Sequence, residues 1–168
     1  GAGALYISPR LKSFPALLLG GGQEGALRSG TEGTPAIFGF AAACAVGQAT
    51  FREDIAREKA LLDRLVTEIS ALDGLYINGC HEAPHILSLS VPGVPTQNTI
   101  NILQDKGICV SAGSACAKGH RSHVLTAMNL SPERMDGSFR VSLCRDTTWE
   151  ELEVLLDTLK NDILPRRR

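Results

Sequence analysis

A cysteine among small residues, followed by basic ones, is the part of this sequence best suited to chemistry. Cys116 lies in the segment 111–119, Ser-Ala-Gly-Ser-Ala-Cys-Ala-Lys-Gly, whose small side chains and two glycines leave a thiol uncovered. Lys118 and His120 follow it, and nearby positive charge favours the thiolate, the nucleophilic form of cysteine. The pattern is typical both of a reactive sulfur on a loop and of a small residue in a turn, because reactivity depends on the surroundings that the fold supplies.

A second candidate is the glycine-rich segment 20–33, which carries Arg28, Ser29 and Thr31. Exposed backbone amides beside a guanidinium and hydroxyl groups are suited to holding a phosphate. The segment matches neither the P-loop nor the dinucleotide-binding glycine pattern. Phosphate binding and a plain surface loop therefore both remain open from these residues alone.

Composition limits the function classes. The chain has 168 residues, 43% of them hydrophobic, and a net charge of -1, which predicts a packed domain with no attraction to nucleic acid or to an anionic membrane. Neither a secretory leader nor an unbroken apolar run long enough for a membrane span is expected. The five cysteines are widely spaced, with no CxxC pair, so we expect no metal site, no disulfide framework and a cytoplasmic location.

The elements that must position these residues form an α/β pattern, a sheet covered by helices. Strands are predicted at 2–7, 17–19, 75–78, 86–91, 108–111 and 139–143, and helices at 35–72 (one or two), at 96–106, after Ser122 and after Thr148. Residues 36–50 are apolar nearly all round, which predicts a buried helix, and Cys44 and Cys109 are expected in the core.

The strand at 139–143 supplies a third candidate. Its apolar residues Phe139, Val141 and Leu143 alternate with Arg140 and Ser142. Successive side chains of a strand point to opposite faces. Arg140 is therefore predicted to leave the apolar face, either as a pocket residue or as an exposed arginine.

Three separated stretches resemble the cysteine desulfurases, which are PLP-dependent enzymes of the class-V aminotransferase group. They are residues 20–32, 111–119 and 140–151, in the family's order, and the helix at 122–128 is similar as well. The resemblance implies the C-terminal small α/β domain of a fold-type-I PLP-dependent transferase plus the tail end of the large domain. The implied boundaries are a large-domain remnant with the phosphate-contacting loop at 1–34, linking helices at 35–73 and the small domain at 74–168.

The resemblance also implies roles for the three candidates. Cys116 matches the family's nucleophile, which attacks the sulfur of a cysteine substrate and becomes a persulfide. Arg140 matches the arginine that grips the substrate carboxylate, a task suited to its planar fork. Thr31 matches the residue that reaches the PLP phosphate of the other subunit in the family homodimer. His120 and His123 lie near the cysteine in sequence, so a role in stabilising the thiolate or transferring a proton is open for both, although a position on the helix surface is favoured for His123.

The implied function is that of a full-length parent. It would convert L-cysteine into L-alanine and a Cys116 persulfide and deliver the sulfur to an acceptor protein, often for iron–sulfur cluster assembly. The family's PLP lysine precedes a segment resembling residues 1–7, and no lysine of this chain has a matching context. The chain alone is therefore expected to bind no PLP and to be inactive.

Departures from the family pattern keep alternatives open. His85 and Gly33 replace common asparagines, and Cys144 replaces a common glycine. The alternatives are a stand-alone persulfide relay or binding module, a related class-V aminotransferase and a selenocysteine lyase.

Overall fold

The computed structural model describes residues 1–80, 82–112 and 121–167. The chain forms two compact units, Gly1–Phe51 and Arg52–Arg168. The boundary between them falls within a long helix, α1, which spans Thr34–Ser70. The predicted domain boundaries at residues 34 and 73 stay predictions.

The first unit begins with loops. Residues 2–7 form no strand and make no ladder with any described residue, so that strand prediction is wrong. A short strand such as this needs a pairing partner to satisfy its backbone groups. Leu18 makes an isolated parallel bridge with Arg28, and Ser29 N donates to the Leu18 carbonyl at 3.1 Å. This bridge closes the base of the glycine-rich loop.

The first half of α1 is exposed. The predicted burial of residues 36–50 is wrong: Phe38 keeps 75% of its surface accessible and Val46 58%. Cys44 is exposed too, contrary to the prediction of a core residue. The second half buries one face, made by Leu62, Leu65 and Ile69. The 35–72 region is thus one helix rather than two.

The exposed half of α1 also has the composition of a membrane span. The helix contains an 18-residue window of mean hydropathy 1.3, none of it buried within the chain, and residues 34–51 carry no charged side chain. The sequence-based prediction that the chain has no apolar run long enough for a membrane span is therefore wrong. Length and hydropathy alone are weak grounds for a membrane span, because core helices of water-soluble proteins share both properties.

The second unit contains an antiparallel four-stranded sheet. The strands are β1 (Tyr76–Ile77), β2 (Ile86–Ser90), β3 (Ser111–Ala112) and β4 (Ser138–Ser142), in the order β1-β2-β4-β3. The predicted antiparallel pairing of β1 with β2 is confirmed. β4 lies between β2 and β3, so its central residue has a cross-strand neighbour on each side.

Short helices connect and follow the strands of this sheet. They are α2 (Thr96–Asp105), α3 (His123–Ala127), α4 (Pro132–Asp136) and α5 (Trp149–Thr158), and α5 continues through a π turn, Leu159–Ile163, and a 3-10 turn, Leu164–Arg166. The core packs residues of β2 and β4 against α1, α2 and α5; they include Leu87, Leu89, Phe139, Val141, Leu65, Leu103 and Leu155. The α/β class is confirmed, as are the helix caps at Ser122 and Thr148, the latter a complete capping box.

Candidate active site

Arg140 lies at the centre of a polar rung that crosses the sheet. Ser88 of β2 is its direct partner on one side, and Ser111 of β3 is its direct partner on the other. Residues directly opposite in an antiparallel pair share a face, with Cβ atoms about 4.5–5.5 Å apart. Phe139 and Val141 on the opposite face are 1% and 5% exposed. The predicted alternation is confirmed, and Arg140 lies between two hydroxyl-bearing residues in the sheet.

The Arg140 guanidinium is available to a ligand. Arg140 is exposed, and among residues 1–80, 82–112 and 121–167 it has no hydrogen-bond or ion-pair partner. Its five N–H donors suit a planar anion such as a carboxylate. Without a counter-ion in these described ranges, the guanidinium is suited to binding an anion.

Cys116 lies outside the described residues, as do Lys118 and His120. The chain on either side of this gap is described. Ser111, five residues before Cys116, is the ladder partner of Arg140. β3, which ends at Ala112 directly before the segment 113–120 in sequence, is therefore the strand next to the one that carries Arg140.

The far side of that segment is also tied close to β4. Arg121 donates from Nε and Nη2 to the two carboxylate oxygens of Asp136, at 2.9 and 2.8 Å, and Asp136 lies two residues before β4 begins. Ser122 then caps α3 by accepting from Leu125 N. Both flanks of 113–120 are therefore held beside the strand that carries Arg140.

The Arg121–Asp136 pair predicts a pH response. The hydrogen bond from Arg121, together with its charge, lowers the pKa of Asp136 below its ordinary value of 3.8. A carboxylate with a depressed folded-state pKa stabilises the fold above its unfolded value and loses that contribution as pH falls through the folded value. An NMR titration should show a higher Asp136 pKa in Arg121→Gln than in the wild type. An equal pKa in both proteins would contradict the pairing, and Arg145→Gln is the matched control.

Thr31 lies in the first unit, three residues before α1, with its side chain exposed. The loop before it folds back on itself, because Gly30 N donates to Gln23 Oε1 at 3.2 Å and Arg28 Nη1 donates to the Gly30 carbonyl at 3.4 Å. Gly30 has φ +123°, which favours glycine. The Thr31 hydroxyl and the remaining Arg28 N–H groups are a donor set that fits a phosphate.

Sequence reasoning missed a set of hydrogen-bonded side chains that includes Ser88, one member of the polar rung. Arg134 Nη2 donates to Asn78 Oδ1 at 2.7 Å, and Asn78 Nδ2 donates to Ser88 Oγ at 3.2 Å and to Ser90 Oγ at 2.8 Å. The alternation of Ser88 and Ser90 with leucines was a visible signal. Their proximity to Arg140 depends on strand register, which the sequence alone does not supply.

The remaining cysteines are exposed in the structure. Cys109 precedes β3 rather than lying in a strand, so its predicted core position is wrong. Cys144 follows β4, and its backbone N–H donates to Thr147 Oγ1 at 3.0 Å. Among the described residues, no group of three or more His, Cys, Asp or Glu side chains is placed to hold a metal ion.

Fold and sequence together define the class of this protein. The sequence model of the aminotransferase class-V family matches residues 1–155, so the chain belongs to that family. More specifically, it is 37% identical over 167 residues to the cysteine desulfurase IscS of Shewanella piezotolerans, covering 97% of this chain and 41% of that protein. It is 40% identical over 159 residues to the cysteine desulfurase IscS of Pseudomonas putida strain F1, covering 91% and 39%.

Solved structures agree with this assignment. The X-ray structure of a NifS-like protein from Rickettsia africae superposes with a TM-score of 0.75 at 29% identity, covering 88% of this chain and 39% of that one. The predicted resemblance to cysteine desulfurases and the predicted fold are confirmed. The chain spans about two fifths of the length of the curated relatives it matches.

Proposed function

We propose that this chain is the C-terminal part of a PLP-dependent cysteine desulfurase. The whole protein removes sulfur from L-cysteine, yields L-alanine and a Cys116 persulfide, and passes the sulfur to an acceptor protein. One observation carries the proposal: Arg140, unpaired among the described residues, is the ladder partner of Ser111. An arginine suited to anion binding therefore lies on the strand next to β3, and β3 directly precedes in sequence the segment that contains the candidate nucleophile.

The chain's own residues divide the work between binding and sulfur transfer. Arg140 binds the substrate carboxylate through its two parallel N–H donors and orients the amino acid. The Cys116 thiolate attacks the substrate sulfur, so that a sulfur–sulfur bond forms as the carbon–sulfur bond breaks. PLP, when bound, supplies an electron sink for the electron pair left on the substrate carbon.

The glycine-rich loop is proposed to contact the cofactor. The Thr31 hydroxyl would donate to the PLP phosphate of a second subunit in a homodimer, and the donor set of residues 28–31 fits that role. The lysine that binds PLP in the family has no counterpart in this chain, so the rest of the protein would supply it.

The uncharged half of α1 is proposed to pack against the rest of the protein rather than to cross a membrane. A helix that is apolar on all sides is stable in water only when other elements cover it. The proposed location is the cytoplasm, where the four exposed free thiols of the described residues remain reduced. Iron–sulfur cluster assembly is the proposed use of the sulfur.

The test uses the full-length protein loaded with PLP and incubated with L-cysteine. We expect L-alanine to form, and mass spectrometry to find one added sulfur atom on the peptide that contains Cys116. This chain alone, mixed with PLP and L-cysteine, should form no L-alanine. Turnover of selenocysteine without turnover of cysteine would instead indicate a selenocysteine lyase, and amino-group transfer to a keto acid would indicate an aminotransferase. An unmodified Cys116 alongside alanine formation would exclude Cys116 as the sulfur carrier.

A further inference from the structure

We propose that Ser88 is a second binding group for the substrate carboxylate, acting beside Arg140 with its hydroxyl oriented by Asn78 and Arg134. The inference rests on the proposed function, because it concerns the same amino-acid substrate. Nothing in the sequence pattern assigns Ser88 a role; the strand register and the hydrogen bonds behind it do.

The register places the Ser88 side chain next to the Arg140 side chain. The two residues are direct partners in the β2–β4 ladder and share the face opposite the core. Arg140 is exposed and Ser88 is half-buried on this face. An anion bound by the guanidinium therefore lies within reach of the neighbouring hydroxyl.

The amide of Asn78 has one orientation that satisfies its neighbours. Arg134 has only donors to offer, so the Asn78 oxygen must face it and accept at 2.7 Å. The amide nitrogen then faces the two serines and donates to Ser88 Oγ at 3.2 Å. Asn78 is 5% exposed, which holds the amide away from competing water.

The consequence is a serine hydroxyl prepared to donate. Because Ser88 Oγ accepts from Asn78, its own hydrogen is directed away from the amide, and within the described part of the chain it has no acceptor. A carboxylate has about four lone-pair sites, of which a bidentate arginine uses two. The Ser88 hydroxyl is placed to donate to one of the remaining lone-pair sites of the carboxylate, and it adds no charge to the site.

The first measurement compares KM and kcat for L-cysteine in the PLP-loaded full-length protein. Ser88→Ala should raise KM about tenfold and leave kcat within about twofold, because a hydrogen bond to a charged group is lost. Ser88→Thr keeps the hydroxyl and should restore KM. Ser142→Ala, an exposed serine on the same face of β4, is the matched control and should have wild-type kinetics.

The second measurement does not depend on turnover. Calorimetry should show that Ser88→Ala weakens binding of L-alanine by about the same factor and leaves binding of cysteamine, which has no carboxylate, unchanged. Unchanged KM and unchanged L-alanine affinity in Ser88→Ala would overturn this inference while the desulfurase activity stands. A wild-type protein that binds L-alanine in a Ser88-dependent manner, but forms none from L-cysteine, would overturn the proposed function while Ser88 keeps its role.

Discussion

Replacing Cys116 by serine is expected to lower the rate of alanine formation from L-cysteine by at least about 10³-fold in the full-length protein. A serine hydroxyl is almost entirely protonated near neutral pH and is a poor nucleophile toward sulfur, whereas a thiolate attacks a sulfur atom readily. Steady-state alanine production measures the rate. Mass mapping after a single turnover measures the persulfide, which should be absent from the variant.

Two described thiols provide the controls for this prediction. Cys109 and Cys144 are both exposed, so Cys109→Ser and Cys144→Ser are expected to keep alanine formation and the Cys116 persulfide. Cys144 is the sharper control because it follows the strand that carries Arg140. If Cys116→Ser retained activity and the added sulfur appeared on Cys144, the nucleophile would be Cys144 and the assignment of Cys116 would be wrong.

Local patterns predicted the second unit well. The alternation of apolar and polar residues predicted β2 and β4. The hydroxyl of a capping residue predicted the start of α5, and the helical spacing of its leucines predicted its buried face. Each of these structures is determined by a few neighbouring residues, because the strand pleat, the helix cap and the helix turn are local geometries.

Predictions that depended on distant partners were wrong. Residues 2–7 have the composition of a strand but no neighbouring strand among the described residues, and Cys44 lies on the first half of α1, which is exposed. Hydrophobic periodicity shows that a surface needs cover, but it does not show what covers it. The role of Ser88 escaped prediction for a related reason, since its place beside Arg140 follows from the register of strands far apart in sequence.

Replacing Arg140 by alanine is expected to raise KM for L-cysteine about 100-fold or more. Two parallel hydrogen bonds to a carboxylate are lost, and each hydrogen bond to a charged group contributes about 1.5–3 kcal/mol, where about 1.4 kcal/mol corresponds to a factor of ten. Arg140→Lys keeps the charge but not the planar fork, so it should recover only part of the loss. Steady-state kinetics of the PLP-loaded full-length protein provide the measurement.

The same substitution should leave the fold intact, and this separates a binding role from a structural one. Arg140 is exposed and makes no ion pair among the described residues, so the free energy of unfolding should change by no more than about 0.5 kcal/mol. Arg145→Ala, at an exposed arginine beyond the end of the same strand, is the matched control and should keep the wild-type KM. Discrimination between L-cysteine and cysteamine should collapse in Arg140→Ala and stay at the wild-type level in Arg145→Ala, because the guanidinium at position 140 makes the two charged hydrogen bonds to the carboxylate that cysteamine lacks. Preserved discrimination would mean that the carboxylate binds elsewhere, and the polar rung would then have no part in substrate binding.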